Sequence, residues 1–405
     1  MSTYPTYKLG EICELLNGYA FKSSKYVQSG LRVIRITNVK KGYVIDEEPQ
    51  FYPIETREEL KKYILKKDDL LISLTGNVGR VGILNEKLLP AALNQRVGCL
   101  RIKDKSVVSL QYLYHLLNTN SFEKDCINSS RGIAQKNMST EWLKDYEVSL
   151  PPLPTQQAIV TRIESIFAEL DKAVQHLRTA QKQLKTYRQA VLNHWLNNDE
   201  GKWEMVKIES VADVVSGYAF KSNLFKDSGK YQIIRIGNIR PGVIRIKESP
   251  VFYDEIPSGT CSKVLLKKKD VVITLTGTRK KRDYGYTAMV TQENLLLNQR
   301  LAYFRFDNKQ YDPAFFLYYS WTDSFKDDFF SYETGNVGQG NVGIKAITKT
   351  EIPLPPLSEQ QRIVQEIESR LSQASTSSAY IENALQQAEA LRQSILKKAF
   401  SGELV

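Results

Sequence analysis

The sequence predicts an α+β protein assembled twice: two globular α+β domains related by a pseudo-twofold axis and joined by two long helices that form an antiparallel coiled coil. Three observations predict it. Blocks of sequence recur in the same order, two stretches of about forty residues keep a heptad seam, and almost all of the formal net charge of +11 lies outside those stretches.

The recurrence comes first, because a missed repeat misreads the whole fold. GYAFKS stands at Gly18–Ser23 and again at Gly217–Ser222. IRITN (Ile34–Asn38) returns as IRIGN (Ile234–Asn238), and LTG ending at Gly76 returns ending at Gly277. NQR recurs at Asn94–Arg96 and Asn298–Arg300. LPPLPTQQ from Leu150 returns as LPPLSEQQ from Leu354, and RQAVL from Arg188 as RQSIL from Arg392. The offset drifts only from 199 to 204 across the chain. The chain is therefore a tandem duplication of a unit of roughly 200 residues, one domain by the usual size range. Each unit divides again: 1–150 and 201–354 read as globular, 151–200 and 355–405 as helical.

The globular parts carry short β-branched and aromatic runs such as RVIRITNV, DLLISL and RVGCLRI, punctuated by Gly and Asn. These read as strands, with short helices such as Ser109–Leu117 between them, and the sum is a mixed α+β globule. Asp68 and Asp69, matched only by Asp270, fit a turn entering a strand.

The helical parts open at proline stops and then run without another proline. In the first, Ile159, Ile163, Ile166, Leu170, Ala173, Leu177, Ala180, Leu184, Tyr187 and Val191 alternate steps of four and three, the seam of a coiled coil. In the second the seam reads Ile363, Ile367, Arg370, Ala374, Ser377, Ile381, Ala384, Ala388, Leu391 and Ile395. Small residues there face large ones in the first, which suits two helices of one chain packing together. Thr155 and Ser358 are expected at N-caps, with Gln361 completing a capping box after Ser358. Such a helix spans on the order of 60 Å at 1.5 Å per residue.

Charge follows the same division. Residues 1–150 hold 22 Lys and Arg against 17 Asp and Glu, and residues 201–354 hold 23 against 17. The helical segments are close to neutral. A positive globule favours a polyanionic partner. The four cysteines are far apart with no CxxC spacing, which argues against a disulfide framework or zinc and fits a reducing cytosol. No signal-peptide pattern opens the chain and no apolar run reaches the length of a membrane span, so the expected location is the cytoplasm. There is no GxxxxGK[ST] phosphate loop, no GxGxxG after a strand, and no methyltransferase-type Pro-Pro-aromatic motif. His115, His176 and His194 lack neighbours at metal-ligand spacing. Neither a catalytic residue nor a metal site is expected.

The duplicated architecture, the LPPLPTQQAIV and LPPLSEQQRIV junctions, and the IRITN/IRIGN, LTG and NQR blocks together resemble the specificity subunits of Type I restriction-modification enzymes, over essentially the whole chain. The resemblance implies that each globule is a target-recognition domain for one half of a bipartite, asymmetric double-stranded DNA site. It implies that the helices fix the spacing of the halves and dock two methyltransferase subunits, with Gln156, Gln157, Gln360 and Gln361 of the junctions as docking residues. It implies S-adenosylmethionine on those partners, and ATP and magnesium on a separate motor-nuclease subunit, with no cofactor on this chain. The second junction departs by carrying Glu359 before Gln360 where the first has Thr155 before Gln156. Half-sites one turn of DNA apart lie about 34 Å centre to centre, within the reach of the helices.

The copies diverge most between LTG and NQR, where Asn77 and Arg80 in the first correspond to Arg279, Lys280, Lys281, Arg282 and Tyr284 in a longer second loop. Arg and Lys serve phosphates or guanine edges, so this loop is a candidate DNA contact, the alternative being a solvated charge run. Shared candidates are Lys22, Ser23, Lys221 and Ser222 as phosphate ligands, unless GYAFKS is core. Arg35, Asn38, Arg235 and Asn238 lie in the IRITN blocks, where Arg35 and Arg235 alternate with isoleucines and point to solvent or DNA. Arg96 and Arg300 follow Asn-Gln, which suits adenine readout or a structural turn. Lys136 and Asn137, after Gln135, match Asn341 after Gln339. The competing class is an assembly protein, a duplicated coiled coil that binds only protein. A chain neutralising about eight phosphates shows a log–log salt slope near −7, and a protein scaffold almost none.

Overall fold

The computed structural model describes residues 4–132, 136–197, 201–254 and 261–404, with Cys261 described by its backbone alone. Gln135 lies outside these residues. The chain forms two compact units, residues 1–178 with 382–405 and residues 179–381.

Unit 1 is organised by two small sheets. Cys13–Asn17, Val97–Ile102, Leu70–Ser73 and Val81–Ile83 form an antiparallel sheet in that spatial order. Leu31–Ile34 pairs in parallel with Ala91–Leu93 and antiparallel with Phe51–Tyr52. Leu70–Ser73 is buried at every position, so it reads as a continuous apolar run and not as an alternation. Helices Leu110–Leu117 and Asn120–Ser129 start where Ser109 and Thr119 accept hydrogen bonds from the N–H groups of Tyr112 and Phe122, satisfying donors a helix start leaves open.

Unit 2 repeats the plan. Ala212–Ser216, Leu301–Phe306, Val271–Thr274 and Thr287–Met289 form the antiparallel sheet, and Tyr231–Ile234 pairs in parallel with Leu295–Leu297. Asp312 and Thr322 cap helices Pro313–Tyr319 and Asp323–Ser331 as Ser109 and Thr119 do in unit 1. Unit 2 adds a three-stranded ribbon of Thr276–Thr278, Gln339–Asn341 and Thr334–Gly335.

The expected strand through IRITN ends early. Leu31–Ile34 and Tyr231–Ile234 stop at the isoleucine, and Ile36–Asn38 and Ile236–Asn238 are 3-10 turns. The cause is local: Asn38 Oδ1 accepts the Arg35 N–H at 2.8 Å, and Asn238 that of Arg235 at 2.9 Å. That bond draws the chain into a turn, as Asn side chains do.

The two long helices run Leu153–Leu196 and Leu357–Phe400, 44 residues each. Thr155 and Ser358 are inside the first turn and not at the caps, because the N–H groups of Thr155 and Glu359 already bond to the carbonyls of Pro152 and Pro356. Within each unit the segments of the two helices pack antiparallel. Within unit 1, Arg392 bonds Asp171 and lies 4.2 Å from the Phe167 ring centroid. Within unit 2, Arg188 donates to Ser375 at 3.1 Å while Trp195, one turn or more further on, meets Arg362 and Arg370. The seam departs from the heptad expectation at single positions. Ala173, Tyr187, Arg370, Ser377 and Leu391 are exposed, and Val174, Arg188, Leu371, Ser378 and Arg392 are half-buried in their place. The expected positions between them, Leu177, Ala180, Leu184, Ala374, Ile381 and Ala388, are buried or half-buried, so the departures are local and the register does not slip. The helix ends do more of the packing. Ile159, Ile163 and Phe167 join the core of unit 1, as do Ile395 and Leu396, while Val191, Leu196, Ile363 and Ile367 join that of unit 2.

Candidate nucleic-acid interface

The repeated blocks, scattered over eighty residues of each copy, converge on one rim. In unit 1 the Asn94 N–H bonds the Ile34 carbonyl at 3.1 Å, the Tyr19 N–H bonds Leu93 O at 2.8 Å, and the Leu74 N–H bonds Arg96 O at 3.0 Å. In unit 2 the matching bonds are Asn298 to Ile234 at 3.0 Å, Tyr218 to Leu297 at 2.9 Å, and Leu275 to Arg300 at 3.1 Å. Gly18 and Gly217 explain why GYAFKS begins with glycine: a Cβ there would collide with the carbonyl of Asn94 or Asn298. The NQR turn is thus the hub on which GYA, IRI and LTG are fastened. Val342 and Met138 extend it, donating to Leu275 O at 3.0 Å and Leu74 O at 2.8 Å.

Exposure sorts the candidates. Lys22, Ser23, Asn77, Arg96, Lys136 and Asn137 in unit 1 are exposed, as are Lys221, Ser222, Arg300 and Asn341 in unit 2. Gly76 N–H bonds Lys136 O at 2.8 Å and Thr75 bridges to Asn137, so the LTG loop and the 136–137 segment lie together. Asn77 and Arg80 line a cleft with Thr37, Lys40 and Thr75. Lys40 was missed by sequence reasoning, although Lys40 and Arg240 follow IRITN and IRIGN at the same place and keep the charge, a signal the repeat contains. Lys22 and Ser23, with Lys221 and Ser222, stand on separate exposed turns beyond the Tyr19–Phe21 and Tyr218–Phe220 aromatic pairs.

Arg35 and Arg235 do not point cleanly outward. Each is half-buried and donates to a backbone carbonyl across its own loop, Glu48 O at 2.8 Å and Ser249 O at 2.7 Å. Asn38 and Asn238 are buried at 4% and 3% exposure. The Asn38 amide donates to Ile45 O and Asp46 Oδ1, and the Asn238 amide to Arg245 O and Glu248 O. Their hydrogen-bonding groups hold the loop and are closed to a base edge. Tyr284 is likewise core, 2% exposed, with its hydroxyl on Glu333 and its ring 5.1 Å from that of Phe330. Burial, and then the Glu333 carboxylate, push its phenol upward.

The basic loop of unit 2 is exposed throughout but unevenly engaged. Arg279 pairs with Glu333 at 2.9 Å, and Arg282 lies 4.7 Å from the Phe330 centroid. Thr278 N–H bonds Asp283 Oδ1 at 2.6 Å, which closes the loop on itself. Lys280 and Lys281 lie between these anchors, exposed to solvent.

The junction glutamines divide by one position. Gln157 and Gln361 are exposed. Gln156 and Gln360 are fully buried and cannot form a docking face. Gln156 accepts the Ser109 N–H at 2.8 Å and donates to Val107 O and Pro151 O, each at 2.9 Å. Gln360 accepts the Asp312 N–H at 2.7 Å and donates to Gln310 O at 3.1 Å and Pro355 O at 2.8 Å. Each one ties its long helix to the start of a globular helix and saturates its own amide in doing so.

Among the described residues no group of His, Cys, Asp or Glu is placed to hold a metal ion. His176 and His194 are exposed on the first long helix. Burial pushes the Cys13 and Cys126 thiols up to about 12, and that of Cys99 upward too, the reverse of an activated nucleophile. Asp69 and Asp270 sit in strand-entering turns, where they accept the N–H groups of Lys66 and Lys267 at 2.7 Å. Among the described residues no helix is long and apolar enough to cross a membrane.

Comparison with known proteins adds the family. The model of the Type I restriction modification DNA specificity domain matches residues 1–177 and 200–387, once for each copy. The Type I restriction enzyme EcoBI specificity subunit of Escherichia coli is 24% identical over 426 residues, covering 98% of this chain and 85% of that protein. The EcoKI specificity subunit of Escherichia coli strain K12 is 23% identical, covering 97% and 87%. Among solved structures, a chain of the type I R-M system, described for its complex assembly and conformational transition, covers both chains completely with a TM-score of 0.75 at 17% identity. The HsdS subunit from Thermoanaerobacter tengcongensis covers 99% of this chain and 97% of its own, with a TM-score of 0.55 at 17% identity. With the family model matched over both copies, the chain belongs to the Type I restriction-modification DNA specificity family.

Proposed function

We propose that this chain is the DNA-reading subunit of a Type I restriction-modification complex. Each globular portion takes one half of a bipartite duplex site, and the paired long helices set the distance between the halves. One observation carries this reading: two copies of the same hydrogen-bonded rim present different loops, Asn77–Arg80 in one and Arg279–Arg282 in the other. A shared scaffold with divergent loops is what reading two unlike half-sites requires, since phosphate contacts position a protein while base contacts specify.

The chain itself does no chemistry and holds no cofactor in this reading. Two methyltransferase subunits dock on it and carry S-adenosylmethionine. A motor-nuclease subunit supplies ATP-driven, magnesium-dependent cleavage. The complex works in the cytoplasm, where its DNA is. The exposed Gln157 and Gln361 are the junction residues left to face a partner.

Genomic methylation mapped by long-read sequencing, with and without the gene, tests the proposal. The expected result is a bipartite methylated motif that disappears on deletion. An identical methylation pattern in both strains overturns it.

A further inference from the structure

Unit 2 carries a β-hairpin from Thr334 to Asn341 pairing onward to Thr276–Thr278, where the described residues of unit 1 show the isolated bridges Thr75–Asn137 and Arg131–Asn137. Side chains alternate across a strand, so Gln339 and Asn341 share one face and Gly340 lies on the other. The Gly340 side is closed, because the Tyr284 hydroxyl and Glu333 occupy the space a Cβ would need. The Gln339 side is open, and both amides are exposed. Thr278 stands opposite Gln339 on that face. At the tip the Asn336 side chain accepts the N–H groups of Gly338 and Gln339 at 3.2 and 3.0 Å. This tight turn holds Val337 out at 95% exposure, the most exposed large apolar side chain described. Arg279 donates to Gly335 O at 3.4 Å, which keeps the basic loop with Lys280 and Lys281 beside the tip.

We propose that this hairpin enters the major groove and reads A·T pairs in the half-site taken by unit 2, an inference that rests on the DNA-reading function above. The tip of a β-hairpin enters the major groove, a primary amide pairs with the N6 and N7 of adenine, and an apolar side chain meets the thymine methyl. The hairpin brings all of these together: Gln339 and Asn341 for adenine and Val337 for thymine. The Tyr284 hydroxyl and the Glu333 carboxylate, bonded to each other, back it on the Gly340 side. Lys280 and Lys281 flank it as phosphate ligands, which add affinity without sequence preference. A solvent-exposed valine adds nothing to the fold, whereas in the groove it has a partner.

Selection from a randomised duplex pool, using the full chain and sequencing the bound fraction, tests this. The unaltered chain is expected to enrich a bipartite motif containing A·T positions in one half. Gln339→Ala with Asn341→Ala, and separately Val337→Ala, are expected to relax those positions roughly tenfold or more while the other half stays intact. Lys280→Ala with Lys281→Ala is expected to keep the motif, weaken binding to every duplex, and lower the log–log salt slope by about two. Hairpin variants that leave both halves of the motif unchanged, or that weaken all duplexes equally, overturn the hairpin's role while the DNA-reading function stands. A chain that enriches no motif overturns that function itself.

Discussion

The turn after LTG in unit 1 and its counterpart in unit 2 start and end on the same hydrogen bond. Gly79 N–H bonds Ser73 O at 3.0 Å, and Gly285 N–H bonds Thr274 O at 3.0 Å. Between those fixed points unit 1 makes a short turn in which Val78 is buried and the Ser73 hydroxyl holds the Asn77 carbonyl. Unit 2 inserts a charged excursion closed by Asp283. The insertion breaks none of the scaffold bonds that the two units share. A duplicated recognition fold can therefore change what it touches without altering what holds it together, and variants that disturb one property should spare the other.

The sharpest way to break the comparison is to attack the shared scaffold. Asp69 and Asp270 are buried at 1% and 2% exposure. Each accepts two hydrogen bonds from one guanidinium, Arg101 at 2.8 and 2.7 Å and Arg305 at 2.8 and 2.6 Å. Removing one member of such a pair strands a charge in a poor solvent and costs roughly 3–5 kcal/mol. Asp69→Ala and Asp270→Ala should therefore lower the unfolding free energy by similar amounts, read by denaturant titration. A loss confined to one variant would mean that the two scaffolds are not equivalent.

The next effect should separate the units. His115 faces Glu164 of the first long helix at 3.8 Å, and Tyr318 meets Glu368 of the second at 3.4 Å, so one copy places a titrating ring where the other places a phenol. Burial, and then the charge of Arg392, push the His115 imidazole down to about 4. The folded chain holds it neutral while the unfolded chain protonates near pH 6.5. Its contribution is complete above pH 6.5 and is lost as the pH falls toward 4, amounting to about 2 kcal/mol at pH 5. His115→Phe should flatten the fall in stability between pH 7 and pH 5. An unchanged pH profile would show that the ring is not the group responsible.

Much of this was legible in the sequence because it is periodic or repeated. The duplication, the long helices to within two residues of their starts, and the helix at Ser109 all follow from spacing. What stayed hidden is which repeated polar residues face inward. Asn38 and Lys22 are both polar and both recur, yet the Asn38 amide is closed off by the Ile45 carbonyl and the Asp46 carboxylate, seven and eight positions on, and Lys22 is exposed. Gln156 and Gln157 are the same letter. Gln156 alone is buried, in contact with Val107 and Ser109, 49 and 47 residues earlier. Tyr284 looked like part of a basic loop because its neighbours are charged, but its ring packs on Phe329 and Phe330 of a helix far along the chain. Long-range contacts of this kind leave no local pattern.

The smallest expected change in stability sharpens the comparison most. Arg282 sits at φ 47, in the left-handed region. That conformation costs an L residue about 1–2 kcal/mol, and the ring of Phe330 returns about 0.5–1 kcal/mol through the cation–π contact. Arg282→Gly removes both, so its denaturation midpoint should stay close to that of the unaltered chain. Its affinity for any duplex should fall, with the salt slope smaller by about one if the guanidinium meets a phosphate. An arginine that glycine replaces without loss of stability contributes something other than folding. A variant that loses stability and keeps its affinity would assign Arg282 to the scaffold and erase the distinction drawn between the two loops.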